Sequence, residues 1–244
     1  MTGNMSTPQR NLKLTGNAQA TGGAYEDVKI IGEGTIDGDV ECKRLRCVGN
    51  LDMDGNLQSG RASVVGNCSF SGDVQADTLN ISGTVMIGGA AKIKELRCTG
   101  KLEAKRSIRS EQLKVSGQLT TEGDCAAEVF TGRGILEIGG LLNAGKLDIK
   151  LYRNCRVGEI GGGNIHVRKG NGLNPLNLFF RPLPTATLTA ATIEGDEIYL
   201  ENTTAKIVRG KRVTIGPGCD IEAVEYTEHF DLAHDATVAE RRKV

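Results

Sequence analysis

A glycine returns every seventeen residues along the first half of this chain, at Gly32, Gly49, Gly66, Gly83, Gly100, Gly117 and Gly134. A fixed period of that length describes one small unit stacked many times, in which no unit can bury its apolar face without its neighbours. Cut on that period from Val28, residues 28 to 163 fall into eight blocks without gaps. Glycine fills block position 5 in seven of the eight, and position 11 in six of them (Gly38, Gly55, Gly72, Gly89, Gly123, Gly140). Positions 1, 3, 7, 9, 13 and 15 are apolar in 40 of 48 instances, whereas the even positions are apolar in only 10 of 64. Two-residue alternation broken at fixed corners describes short half-buried strands, three to a block. The expected fold is therefore all-β, a β-helix solenoid with 17-residue three-sided coils.

The pattern also sets expected boundaries. LKLTGNAQATGGAYED (12 to 27) repeats it with one residue missing and reads as a further coil, while residues 1 to 11 carry no periodicity and read as a disordered tail rather than a signal peptide. The eighth block loosens, with Leu151 at the glycine position and Arg153 and Glu159 at inward ones. The regular domain is expected to span 12 to 170, closing near NIHVRKG. A linker over 171 to 190 holds Pro175, Pro182, Pro184, Phe179 and Phe180, either as a loop packed on a neighbouring coil or as a contact between subunits. Residues 191 to 244 form a smaller C-terminal β-helical unit with a charged tail. There Ile198, Ile215 and Leu232 stand seventeen apart, as do Ile207 with Val224 and Ile221 with Val238.

Chemistry-bearing residues are better explained by the coil than by a reaction. Cys42, Cys47, Cys68, Cys98, Cys125 and Cys155 all fall on inward positions, where they replace Val, Ile or Ala. With Cys219 the chain has an odd total of seven cysteines, which points to free thiols in a reducing compartment, and no metal or cofactor is expected. His166, His229 and His234 lie at or beyond the end of the regular blocks, without a nucleophile motif beside them. GEGTIDG (32 to 38) resembles a phosphate loop only in its glycines, which belong to the corner series. Asp37 and Asp54, with Asp39 and Asp73 beside them, share one outer face. They serve either as corner hydrogen-bond acceptors or as calcium or acid/base groups. No catalytic residue is assigned. Net charge is zero, but residues 92 to 114 carry eight basic and three acidic groups, and residues 26 to 41 six acidic and one basic. These are solvated faces, or a basic patch for an anionic partner; nucleic acid is not the expected one. No run approaches the ~20 apolar residues of a membrane span.

The block VKIIGEGTIDGDVECKR (28 to 44), with its V-x-I-x-G-x-G-T-I-x-G-D-V pattern, resembles the bactofilins, polymer-forming bacterial cytoskeletal proteins. The resemblance extends over roughly residues 28 to 150, and the whole chain is similar to the longer two-part members found in Gram-positive spore formers. It implies a right-handed triangular β-helix that polymerises end to end without nucleotide, in the cytoplasm or at the inner face of the membrane. Such polymers scaffold cell shape, cell-wall synthesis or motility. The implied partners are further copies of the chain and envelope, wall-synthesis or flagellar proteins. Members often attach to membranes through a short apolar N-terminal peptide, which MTGNMSTPQRN does not supply, so membrane association is left open.

Unpaired edges of terminal coils are where such a stack would meet its partners. On this frame the expected polymerisation interface is Leu12, Leu14, Val28 and Ile30 at one end and Leu147, Ile149, Ile165 and Val167 at the other. Phe179 and Phe180 are candidate covers. The alternatives are a β-helical enzyme acting on polysaccharide or acyl substrates, and a monomeric binding module.

Overall fold

The computed structural model describes residues 10 to 170 and 183 to 244. Expectations for residues 1 to 9, and for Pro175, Phe179, Phe180 and Pro182, lie outside that range. Strands account for every regular element among the described residues, and the chain divides into two compact units, Met1–Lys105 and Arg106–Val244. Each is a β-solenoid of parallel strands.

Unit 1 contains β1 (Arg10–Asp54), β2 (Leu57–Phe70), β3 (Val74–Ile87), β4 (Ala91–Cys98) and β5 (Lys101–Ala104). β1 runs through its corners without a break and begins at Arg10, so residues 10 and 11, expected in the tail, are strand; the Asp27 N–H donates to Asn11 Oδ1 at 3.3 Å. The sequence period is the ladder register: Val40 to Met53 pair with Leu57 to Phe70, which pair in turn with Val74 to Ile87, always seventeen residues on. Parallel pairing puts like positions above one another. Leu45, Ala62, Leu79 and Leu96 thus form one inward row, each no more than 1% exposed.

The corner glycines are explained by how closely the coils approach. Gly49 and Gly66 adopt φ of +126° and +128°, a region that side chains disfavour. A Cβ on Gly66 would run into the carbonyl oxygen of Gly49, and one on Gly83 into that of Gly66. The period of glycine is therefore the period of backbone stacked on backbone.

Unit 2 contains β6 (Ile108–Thr121), β7 (Cys125–Leu151), β8 (Cys155–Lys169), β9 (Leu188–Leu200), β10 (Thr203–Ile215), β11 (Asp220–Leu232) and β12 (Thr237–Lys243). β6 and β7 keep the spacing of seventeen. An irregularity between Ile138 and Leu141 then lengthens the next coil, so that Ile138 pairs with Val157 and Leu142 with Ile160. Val157 and Ile160, 2% and 1% exposed, are the inward residues here, in place of Arg153 and Glu159. The ladder continues past residue 170, because β8 pairs with β9 from Cys155↔Leu188 to Val167↔Leu200. β8 and β9, on either side of the segment expected as a linker, are thus paired, and Leu188, Thr189 and Ala190, expected within that linker, are strand. β9 and β10 pair fifteen residues apart, so Ile198 lies against Val213 rather than Ile215, and Ile207 against Ala223 rather than Val224. The expected matches Ile215↔Leu232 and Ile221↔Val238 are observed.

Candidate functional site

Most residues expected at the ends of the stack lie inside it. Val28 and Ile30 are 1% and 0% exposed, beneath the coil of residues 12 to 27. Leu147, Ile149, Ile165 and Val167 are each at most 1% exposed, because β9 covers β8. Of the named set only the first coil fits an edge, with Leu14 buried and Leu12 half-buried. Phe179 and Phe180 lie outside the described residues.

The uncovered core rows lie instead on β11. Phe230 and Leu232 continue the rows of Val213 and Ile215, yet β12 pairs only with residues 220 to 226, leaving Leu232 43% exposed. Tyr226 stacks on Phe230 with ring centroids 5.3 Å apart. β12 itself is charged: Arg241 stands opposite Val224, in a row that is apolar further down the stack, and Lys243 stands opposite Tyr226. Charges placed in this way blunt a strand edge. The open apolar edge is therefore confined to the side carrying Phe230 and Leu232, a site the seventeen-residue match of Ile215 with Leu232 could have indicated.

The acidic face is a hydrogen-bond ladder. Asp39 Oδ1 accepts from the backbone N–H of Asn56 at 2.7 Å, Asn56 Oδ1 from that of Asp73 at 2.8 Å, and Asp73 Oδ1 from that of Ala90 at 2.7 Å. Asp124 does the same for Leu141 in unit 2. An amide and carboxylates alternate in one row doing one job, so the row requires an acceptor and not a charge. Asp54 Oδ1 accepts from Ser71 Oγ at 2.7 Å. This is the corner reading, and no three acidic, histidine or cysteine side chains among the described residues converge as metal ligands would.

All seven cysteines are buried and free. Burial pushes the Cys125 thiol up to about 12, and those of Cys155 and Cys219 up to about 11. The neighbouring Cys47 thiol, then burial, raise Cys68 as well. Groups held in the thiol form are poor nucleophiles and poor metal ligands.

His166 sits on the outer side of β8 opposite Asp148 of β7 and edge-on to Tyr199 of β9, with ring centroids 4.8 Å apart. Tyr199 donates to Glu201 Oε1 at 2.7 Å, which raises the phenol to about 12, and the Lys169 N–H donates to Glu201 Oε2 at 2.8 Å. Burial, and then Arg168, depress His166. The network ties β8 to β9.

One outer side of unit 2 carries a ladder of ion pairs. Arg209 meets Glu225 at 2.7 Å, Lys211 meets Asp196 at 2.9 Å, and Arg212 bridges Glu228 at 2.7 Å and Glu197. Asn164 Nδ2 extends it by donating to Glu197 at 3.0 Å. Gly162, Gly195 and Gly210 line the middle of this side, and their missing side chains leave a groove of about 820 Å³. On its rim Arg209 and Lys211 are paired with Glu225 and Asp196.

The fold and these surfaces define a β-solenoid protein whose polar side chains mostly satisfy one another from coil to coil. Over 106 residues the chain is 39% identical to YhbF of Bacillus subtilis strain 168, and over 109 residues 42% identical to YhbE of the same organism, both described as uncharacterized proteins. The matches cover 43% and 44% of this chain, and it spans less than half the length of either relative, 42% and 45%. No family profile and no solved structure matches the chain. No helix among the described residues is long and apolar enough to cross a membrane.

Proposed function

We propose that this chain is a structural, bactofilin-like protein that assembles with further copies of itself without nucleotide. In this reading it scaffolds envelope-linked processes such as cell shape, cell-wall synthesis or motility, from the cytoplasm or the inner face of the membrane. Its clients are envelope, wall-synthesis or flagellar proteins. The observation that carries the reading is the core row on β11, where Phe230 and Leu232 continue apolar rows and, among the described residues, no strand is paired with them on the far side. A parallel ladder that stops on apolar residues is completed by adding a strand or coil, and a second copy carries coils of matching geometry. The resemblance of residues 28 to 44 to bactofilins supports the same reading, as does the solenoid fold.

Sedimentation velocity tests it. The parent is expected to form species far larger than a monomer in the absence of nucleotide and metal, and Leu232→Arg with Phe230→Glu to return them toward the monomer with unchanged circular dichroism. A parent that remains monomeric over the accessible concentration range contradicts the reading.

A further inference from the structure

Unit 1 presents faces of different charge. The stretch between the corner that precedes Val28 and the glycine of block position 5 has two outward columns per coil. One holds Lys13, Lys29, Arg46, Ser63, Asn80 and Arg97, stacked in register from Arg46 onward. The other passes through Thr15, Ile31, Val48, Val65, Ser82 and Thr99. Ile31, Val48 and Val65 are 38%, 36% and 48% exposed, a contiguous apolar stripe on a surface where such residues normally occur singly. Neither column contains a carboxylate.

The pairing of the cations sharpens the contrast. Lys43, Arg44 and Lys94, on a different side of the same unit, are ion-paired to Glu26, Asp27 and Asp77. No carboxylate lies within ion-pair distance of Lys13, Lys29, Arg46 or Arg97 among the described residues. Around one corner the nearest acid of the second coil is Glu33, and around the other Asp27 is already held by Arg44 at 2.6 Å. The side beyond the glycine corner carries Asp37, Asp52, Asp54 and Glu103. Exposed cations without partners, flanking an apolar stripe, form a surface complementary to one that is negative outside and apolar just beneath.

We propose that this face of unit 1 docks on an anionic lipid membrane. Lys13, Lys29, Arg46 and Arg97 meet the headgroups, while Ile31, Val48 and Val65 settle into the interface. The face is a run of paired strands, which suits a broad planar partner better than a small ligand, for which a concave pocket is the rule. It also lacks the aromatic anchors that dominate protein interfaces. A soluble polyanion would use the cations but gain nothing from the stripe. Each Lys or Arg near an anionic bilayer strengthens binding by roughly fivefold, so one copy binds weakly and any assembly of copies binds far more tightly. The proposal does not depend on self-assembly and is tested separately from it.

The test is co-sedimentation of the full chain with vesicles of phosphatidylcholine alone, and of phosphatidylcholine and phosphatidylglycerol in equal parts. Binding is expected to the mixed vesicles only and to weaken with added salt. Lys29→Glu with Arg46→Glu is expected to weaken it by at least about tenfold. Ile31→Thr with Val48→Thr and Val65→Thr, which places in the stripe the residue its own column already has at Thr15 and Thr99, is expected to weaken it severalfold. Arg61→Glu, on another side of the unit, leaves it unchanged. Circular dichroism and melting of each variant confirm the fold. Absence of binding to mixed vesicles, or binding that survives both face variants, overturns the proposal. So does equal binding of the parent and the threonine variant to polyphosphate and to the mixed vesicles, which would identify a soluble polyanion as the partner.

Discussion

Gly16 and Gly66 occupy the same corner at φ of +75° and +128°, but their surroundings differ. At Gly16 an added Cβ meets nothing within 4 Å, whereas at Gly66 it strikes the carbonyl of Gly49. Gly16→Ala is expected to cost about 1 to 2 kcal/mol from backbone strain alone. Gly66→Ala should cost about 4 kcal/mol or more, because the coils must also separate; urea midpoints measure both. In the acidic row, Asp73→Asn keeps the acceptor for the Ala90 N–H and should change stability by no more than about 0.5 kcal/mol, while Asp73→Ala removes it and should cost about 1 kcal/mol. A charge-dependent role for Asp73 would make the two variants equally costly. The buried thiols give a pH signature. A thiol raised in the folded state contributes fully below its ordinary value near 9.0, and that contribution is lost as pH rises toward the folded values of about 11 to 12 at Cys155, Cys219 and Cys125. The urea midpoint should therefore fall steeply above pH 9, less steeply in Cys125→Val, and native protein should resist alkylation until denatured. These residue roles were legible in the sequence because the corner glycines and the acids of the row recur at fixed block positions, and because Cys42, Cys47, Cys68, Cys98, Cys125 and Cys155 all fall on inward ones. The purpose of the row of acids was not, since a repeated Asp looks the same as a ligand or as a corner acceptor until its partner N–H is seen.

At the scale of strands, legibility depends on corner length. From Val28 to Ile138 every coil has seventeen residues, so counting gives the register directly. Beyond Ile138 the spacing becomes nineteen, eighteen, thirty-three, fifteen and sixteen before returning to seventeen. A residue gained or lost at a corner is tolerated there, but it shifts every later position on a fixed frame. That is why Arg153 and Glu159 were placed inward in error, and why Ile198 was matched to Ile215. The Pro and Phe content of the segment after Gly170 looked like a domain break, although β8 and β9 pair across it. The ion-pair ladder of unit 2 is exposed and should contribute little singly. Arg212→Ala, which removes contacts to Glu197 and Glu228, is expected to lower the melting temperature slightly at low salt and not measurably in molar salt. Melting curves at two salt concentrations would show whether the ladder acts as a network, in which case the loss would be larger.

For the molecule as a whole, the sequence indicated that a stack of coils has open edges but not where they lie. Open edges of stacked coils were expected to carry the interface. The residues named for one end are buried because β9 to β12 continue the ladder, and the apolar edge moves to Phe230 and Leu232. Charged β12 covers one side of that edge, so contacts made there are directed to the uncovered side. The most direct test is negative-stain electron microscopy of the purified full chain without nucleotide or metal, beside Phe230→Glu with Leu232→Arg. The scaffold account predicts filaments or sheets in the parent and their loss in a variant that retains its β circular dichroism. Dispersed single particles in the parent, or filaments unchanged in the variant, would contradict it.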